Sequence, residues 1–143
     1  MNLRENWVLF AIGSAFFAGL TAVLGKIGVA GVNSNLATLI RTVVILLVTA
    51  GILTLLDQWR PTAPITARTW LFLVLSGIAT GLSWLCYYRA LQLGPVTRVA
   101  PIYKLSVAFA IVLGVLFIGE KLTLPILIGG LLIVAGSIVM IAF

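Results

Sequence analysis

Five apolar runs, each long enough to cross a bilayer, constrain this chain more than any other feature. A membrane-spanning helix needs about 20 predominantly apolar residues. The runs cover about residues 7–29, 35–56, 70–93, 96–118 and 124–143. In lipid only helices and closed barrels satisfy their own backbone groups. The runs are continuous and lack the period-two alternation of barrel strands, so helices are expected. Hydrophobic residues are 62% of the chain and charged residues 8%. A soluble domain carries about 25% charged residues, so this chain has too little polar surface to face water all round. The expectation is an all-α transmembrane fold: a five-helix bundle in a single domain, residues 1–143.

The punctuation between the runs supports these boundaries. Trp7 suits an interfacial anchor. Gly28, Gly31, Asn33 and Ser34 mark a turn. Residues 57–68 form the most polar segment and hold Pro61 and Pro64. Gly94-Pro95 stops the third helix. The fourth begins at Val96 or at Pro101, since proline is comfortable in a first helical turn. Gly119, Glu120 and Lys121 make a short polar turn, with Thr123 as N-cap and Pro125 in the first turn of the last helix. Arg4 ahead of an apolar run loosely fits a signal peptide. No small-residue cleavage site follows, so the first run reads as a span.

An odd number of spans puts the ends of the bundle on opposite sides of the membrane. Basic residues in short loops then choose the orientation. One side carries Arg4, Arg60, Arg68 and Lys121. The other carries Arg89 and Arg98, with Lys26, Arg41 and Lys104 deeper. The bias is weak, as in a chain that inserts both ways. A single orientation remains the alternative, because Lys26 and Lys104 lie near helix ends. The net charge of +6 does not point to nucleic acid, since the nine Lys and Arg are scattered singly.

Lys26, Arg41 and Lys104 interrupt apolar runs, and a cation there costs at least about 2.5 kcal/mol on insertion scales. Lys26 is about 28 Å along the first helix and Arg41 about 9 Å into the second, from opposite ends. Lys104 is early in the fourth. All three are expected toward one membrane side. They could form a basic patch in a cavity, suited to a carboxylate or other anion, or snorkel to the interface. Lys26 continues a small-residue stripe through Ala11, Ala15, Gly19 and Ala22. In the third helix, Gly77 and Gly81 share a face with Trp84 and Tyr88. Small residues at this spacing let helices pack closely. Trp84 is too deep for the interfacial belt and lines either a cavity or the core.

Other chemistry is not visible. Glu5, Asp57 and Glu120 are the acids, all at ends or loops. Histidine is absent and Cys86 is the single cysteine, so no metal site is expected. No nucleophile–base pairing or phosphate-cradling loop occurs, so an enzyme is not expected, nor a cofactor.

The run Tyr88-Arg-Ala-Leu-Gln-Leu-Gly-Pro-Val-Thr-Arg-Val-Ala-Pro101, with Phe117-Ile-Gly-Glu120 and a glycine-rich last helix, resembles the EamA domain of the drug/metabolite transporter superfamily. Trp7, Lys26 closing the first helix and Arg41 early in the second extend the likeness over essentially the whole chain. Typical members carry two such five-helix repeats of opposite topology. The single repeat here is similar to the half-length members. Lys104-Leu-Ser106 stands where longer relatives often have an apolar stretch with a proline.

The resemblance implies a secondary transporter of a small metabolite in the cytoplasmic membrane of a prokaryote, working as an antiparallel homodimer. Its cavity would be lined by Lys26, Trp84, Tyr88 and Lys104, with Arg41 close by. A basic lining favours a neutral, zwitterionic or anionic substrate. The stretch Gly129-Gly130 to Gly136-Ser137 resembles the dimerising last helix of the small four-helix multidrug transporters, and intrachain packing is its alternative. A membrane subunit that pairs with another half-length chain, and a passive channel, are the competing functions.

Overall fold

The structure, a computed structural model, describes residues 7–61 and 63–142. It is helical throughout, with no strand among the described residues. The helices are α1 (Trp7–Gly28), α2 (Ser34–Leu55), α3 (Ala67–Leu93), α4 (Val96–Tyr103), α5 (Ser106–Leu113) and α6 (Leu124–Ala142), with a π-helical turn at Gly114–Ile118 that continues α5. Among the described residues five segments are long and apolar enough to cross a membrane, with α4, α5 and the π-turn forming one span, Val96–Ile118. Arg4, Glu5 and Phe143, which enter the expectations above, lie outside the described residues.

Two boundaries moved for visible reasons. Helix α3 starts at Ala67 rather than 70 because Thr66 caps it. The Thr66 hydroxyl accepts from the Thr69 amide at 3.2 Å, and the Thr66 carbonyl accepts from the Trp70 amide at 3.0 Å. Asn33 caps α2 in the same way, its side chain accepting from the Asn35 amide at 2.9 Å.

The chain divides into two compact units, Leu24–Gln92 and the remainder on either side of it. In the first unit, buried residues concentrate where the end of α1, the start of α2 and the last turns of α3 meet. Val29, Ser34, Thr38, Tyr88 and Leu91 are buried there. The N-terminal half of α3 is bare: every residue from Ala67 to Thr80 is exposed. Threonines within α2 fold their hydroxyls back onto the carbonyl four residues earlier, as Thr38 does to Ser34 and Thr42 to Thr38, both at 2.8 Å. This hides the polar group from hydrocarbon.

The second unit contains the broken fourth span. It starts at Val96, with Pro95 as its N-cap, so Pro101 falls inside α4 rather than in an opening turn. A proline there leaves the carbonyl four residues earlier without its helical partner. The helix then tightens: the Lys104 amide donates to the Pro101 carbonyl and the Leu105 amide to that of Ile102, both at 3.0 Å. Lys104 occupies this break and is exposed. Ser137 of α6 is buried, and its hydroxyl lies 3.1 Å from the Pro101 carbonyl and 2.8 Å from that of Ile133. The span ends at Gly119, whose φ of 77° is the left-handed value that glycine adopts without strain. The Glu120 amide then donates back to the Gly114 carbonyl at 3.2 Å.

Helices α5 and α6 approach closely at Gly130. A Cβ placed there would lie 3.0 Å from Cδ1 of Ile111. By contrast, Gly129 and Gly136 on α6, and Gly77 and Gly81 on α3, have nothing within 4 Å of such a Cβ. The glycine-rich stretch of α6 therefore has one packed face and one open face. Gly130→Val should destabilise the protein by about 1–3 kcal/mol through overpacking, seen as a lower unfolding temperature in detergent. Gly51→Val, where a Cβ meets nothing within 4 Å, should leave that temperature unchanged or higher.

Candidate functional site

Three of the sequence-predicted site residues meet in one cluster. Arg41 lies two turns into α2. Its guanidinium carbon sits 3.8 Å from the ring centroid of Trp84 and 5.4 Å from that of Tyr88. Trp84 and Tyr88 are four residues apart on α3, so both rings project from one face toward the cation. A cation over an aromatic face gains about 0.5–1 kcal/mol when exposed and about 2 when desolvated. This helps hold a charge that hydrocarbon would otherwise reject. One group is left unsatisfied: Nη1 of Arg41 is buried and has no hydrogen-bond acceptor among the described residues.

Tyr88 is held from the opposite side by α1. A Cβ on Gly25 would lie 3.1 Å from the Tyr88 hydroxyl oxygen and 3.3 Å from its Cζ. A side chain here would require the Tyr88 ring to give by a few tenths of an ångström. The sequence reading did not single out Gly25. Its signal was the Gly25-Lys26 pair closing the first span.

Lys26 makes a bond that ties two helices together. Its Nζ donates to the Leu91 carbonyl at 2.6 Å. Leu91 lies in the last turn of α3, where carbonyls have no intrahelical donor. A cation there pairs an orphan acceptor and opposes the negative end of the helix dipole. Gln92 performs the reciprocal task. Its Nε2 donates to the Val32 carbonyl at 2.8 Å, in the turn after α1, while its Oε1 accepts from Nη1 of Arg89 at 2.7 Å. Gln92 was also missed. A glutamine next to a helix stop in an apolar chain is its trace in the sequence. Together these bonds bind the end of α1 to the end of α3 and so set the position of Tyr88.

Lys104 belongs to the other compact unit, at the break in the fourth span. There, Glu120 folds back over the π-turn, with its Oε2 3.0 Å from the position a Cβ would take on Gly114. No group of His, Cys, Asp and Glu able to hold a metal occurs among the described residues.

Helices of this length and composition define a multi-pass membrane protein. Comparison with known proteins gives its class: this is a membrane transporter, and the chain belongs to the EamA-like transporter family, whose model matches residues 5–142. It is 52% identical over 141 residues to a Sinorhizobium protein described as an uncharacterized transporter in the cobO 3' region, covering 99% of this chain and 100% of the relative. No solved structure matches the chain. The family points to a transporter and not to an enzyme.

Replacing Lys26 with Met should leave the Leu91 carbonyl without its charged donor. A loss of about 1.5 kcal/mol is expected for a charge-assisted bond of this kind. Denaturant or thermal unfolding in detergent would measure it, and an unchanged midpoint would show that the bond contributes nothing.

Proposed function

We propose that the protein is a secondary transporter of a small neutral, zwitterionic or anionic metabolite, active as an antiparallel homodimer in the cytoplasmic membrane of a prokaryote. The observation that carries this reading is the Arg41–Trp84–Tyr88 cluster: a cation and two aromatic rings held within a membrane-spanning unit. Polar groups inside a membrane protein are expensive and mark substrate or ion pathways by default. The bacterial origin of the relative supports the location.

The homodimer is supported by surfaces that the chain itself leaves uncovered. Gly77 and Gly81 on α3, and Gly129 and Gly136 on α6, each recur at helical spacing with open space beside them. Such faces suit a second helix at close range. The weak charge bias between loops supports insertion in both orientations, which an antiparallel pair of one gene product requires. Lys26 and the cluster are the polar lining that the reading uses, with Lys26 also fixing the fold through Leu91, and Lys104 is a separate candidate in the other unit.

In liposomes the purified protein should show saturable uptake of a metabolite with counterflow, and Trp84→Ala should lower that uptake at least tenfold. Non-saturable flux without counterflow would indicate a channel instead. A double substitution, Gly129→Leu with Gly136→Leu, should convert dimers to monomers by light scattering in detergent and abolish uptake. A variant that remains dimeric and active would reject α6 as the interface. Reporters fused to the C-terminus should give signal on both sides of the membrane, and signal from one side alone would reject dual topology.

A further inference from the structure

We infer that Arg41 is a stowed carboxylate receptor, parked on Trp84 when empty and drawn off the ring by the substrate's carboxylate; this rests on the transporter reading. Two independent observations lead to it. Nη1 of Arg41 is buried without an acceptor among the described residues. The guanidinium carbon lies 3.8 Å from the Trp84 centroid, close stacking distance. The stack compensates the positive charge but gives the N–H groups nothing to donate to. An aromatic face is a weak substitute for an acceptor, and a buried unsatisfied donor is costly. The empty state is therefore held above a state in which the guanidinium has an acceptor.

The chain offers little to fill that role. Its acids, Glu5, Asp57 and Glu120, stand outside the second and third spans, where the cluster sits. In this reading the acceptor is a ligand, and its chemistry follows from the donor. A guanidinium is a planar fork of N–H groups that matches a carboxylate through two parallel bonds. Arg41 is part-buried as a residue while its Nη1 is buried, so a ligand takes up that donor as the guanidinium leaves the ring. Tyr88 lies close to the α1 backbone at Gly25, where an added Cβ would be 3.1 Å from its hydroxyl oxygen, so it has little room to retreat in that direction. The movable partner is thus the guanidinium, and its departure from the indole face is the event that binding produces.

Trp84 reports this event directly. In the full-length chain with Trp7→Phe, Trp59→Phe and Trp70→Phe, the remaining emission is that of Trp84. Sodium benzoate and sodium acetate at constant ionic strength should shift it saturably. Benzamide and acetamide, which keep the shape but lose the charge, should not. Arg41→Lys keeps a cation without the fork and should raise the half-saturating benzoate concentration at least tenfold. Arg41→Gln should abolish the shift. Should the tryptophan-depleted chain fail to fold, the rise in unfolding temperature of the native chain with benzoate, compared with Arg41→Lys, reads the same binding.

The inference is overturned if neither carboxylate acts on the native chain, if the amides act equally, or if Arg41→Lys responds as the native chain does. An equal response to chloride would also overturn it, by making the site a general anion site. Saturable counterflow of an uncharged metabolite, alongside no carboxylate response, would overturn the carboxylate while leaving the transporter standing.

Discussion

Hydrocarbon gives a backbone carbonyl no hydrogen bond, and in this chain that constraint acts hardest where helices end. Within a helix the ladder takes care of itself. In the last turn the carbonyls have no intrahelical donor, and a turn between helices has no ladder at all. At the junction of α1, α2 and α3, Lys26 supplies the donor for Leu91, and Gln92 supplies the donor for Val32. These side chains are the polar toll of turning a chain inside a membrane. By tying α1 to α3 they also determine what else can be placed between them.

What is placed there is the cation–aromatic cluster. Tyr88 is pressed against Gly25 on one side and lies 5.4 Å from the Arg41 guanidinium on the other. Its ring thus transmits the register of α1 to α2. Trp84, one turn earlier, takes the guanidinium at 3.8 Å. The cation–aromatic contacts are also helix-packing contacts, so under the proposed function a ligand that competes for Arg41 would also loosen the contacts that position α3, which is the kind of differential interaction a change of conformation needs.

The fourth span shows the opposite strategy. Pro101 removes a donor, and the following residues tighten into a break at Lys104 and Leu105. Ser137 of α6 places its hydroxyl beside the Pro101 carbonyl and covers part of the damage. The π-turn and Gly119 then close the span with a wide bend, on which Glu120 lies. Breaks of this sort are tolerated when neighbouring side chains satisfy the freed groups.

The amino-acid sequence by itself determined the five spans, the helical class and the family. All of these depend on local quantities: the length of apolar runs, the residues that cap helices, and a recognisable string around Gly94-Pro95. It also marked Arg41, Trp84 and Tyr88 as candidates, because a cation or a deep tryptophan in lipid is conspicuous wherever it points. Tertiary structure decided what each touches. The 65-residue separation of Lys26 and Leu91 cannot be read as a bond, since a half-turn of helix rotation would aim the ammonium elsewhere. The same holds for Gly25, which matters only because Tyr88 arrives against it, and for Gly130, which packs while its neighbour Gly129 does not. The break at Lys104 lay between: Pro101 advertised a disturbance, but its place depended on where the helix began. A helix periodicity fixes which residues share a face, and only packing against another helix fixes which face is used.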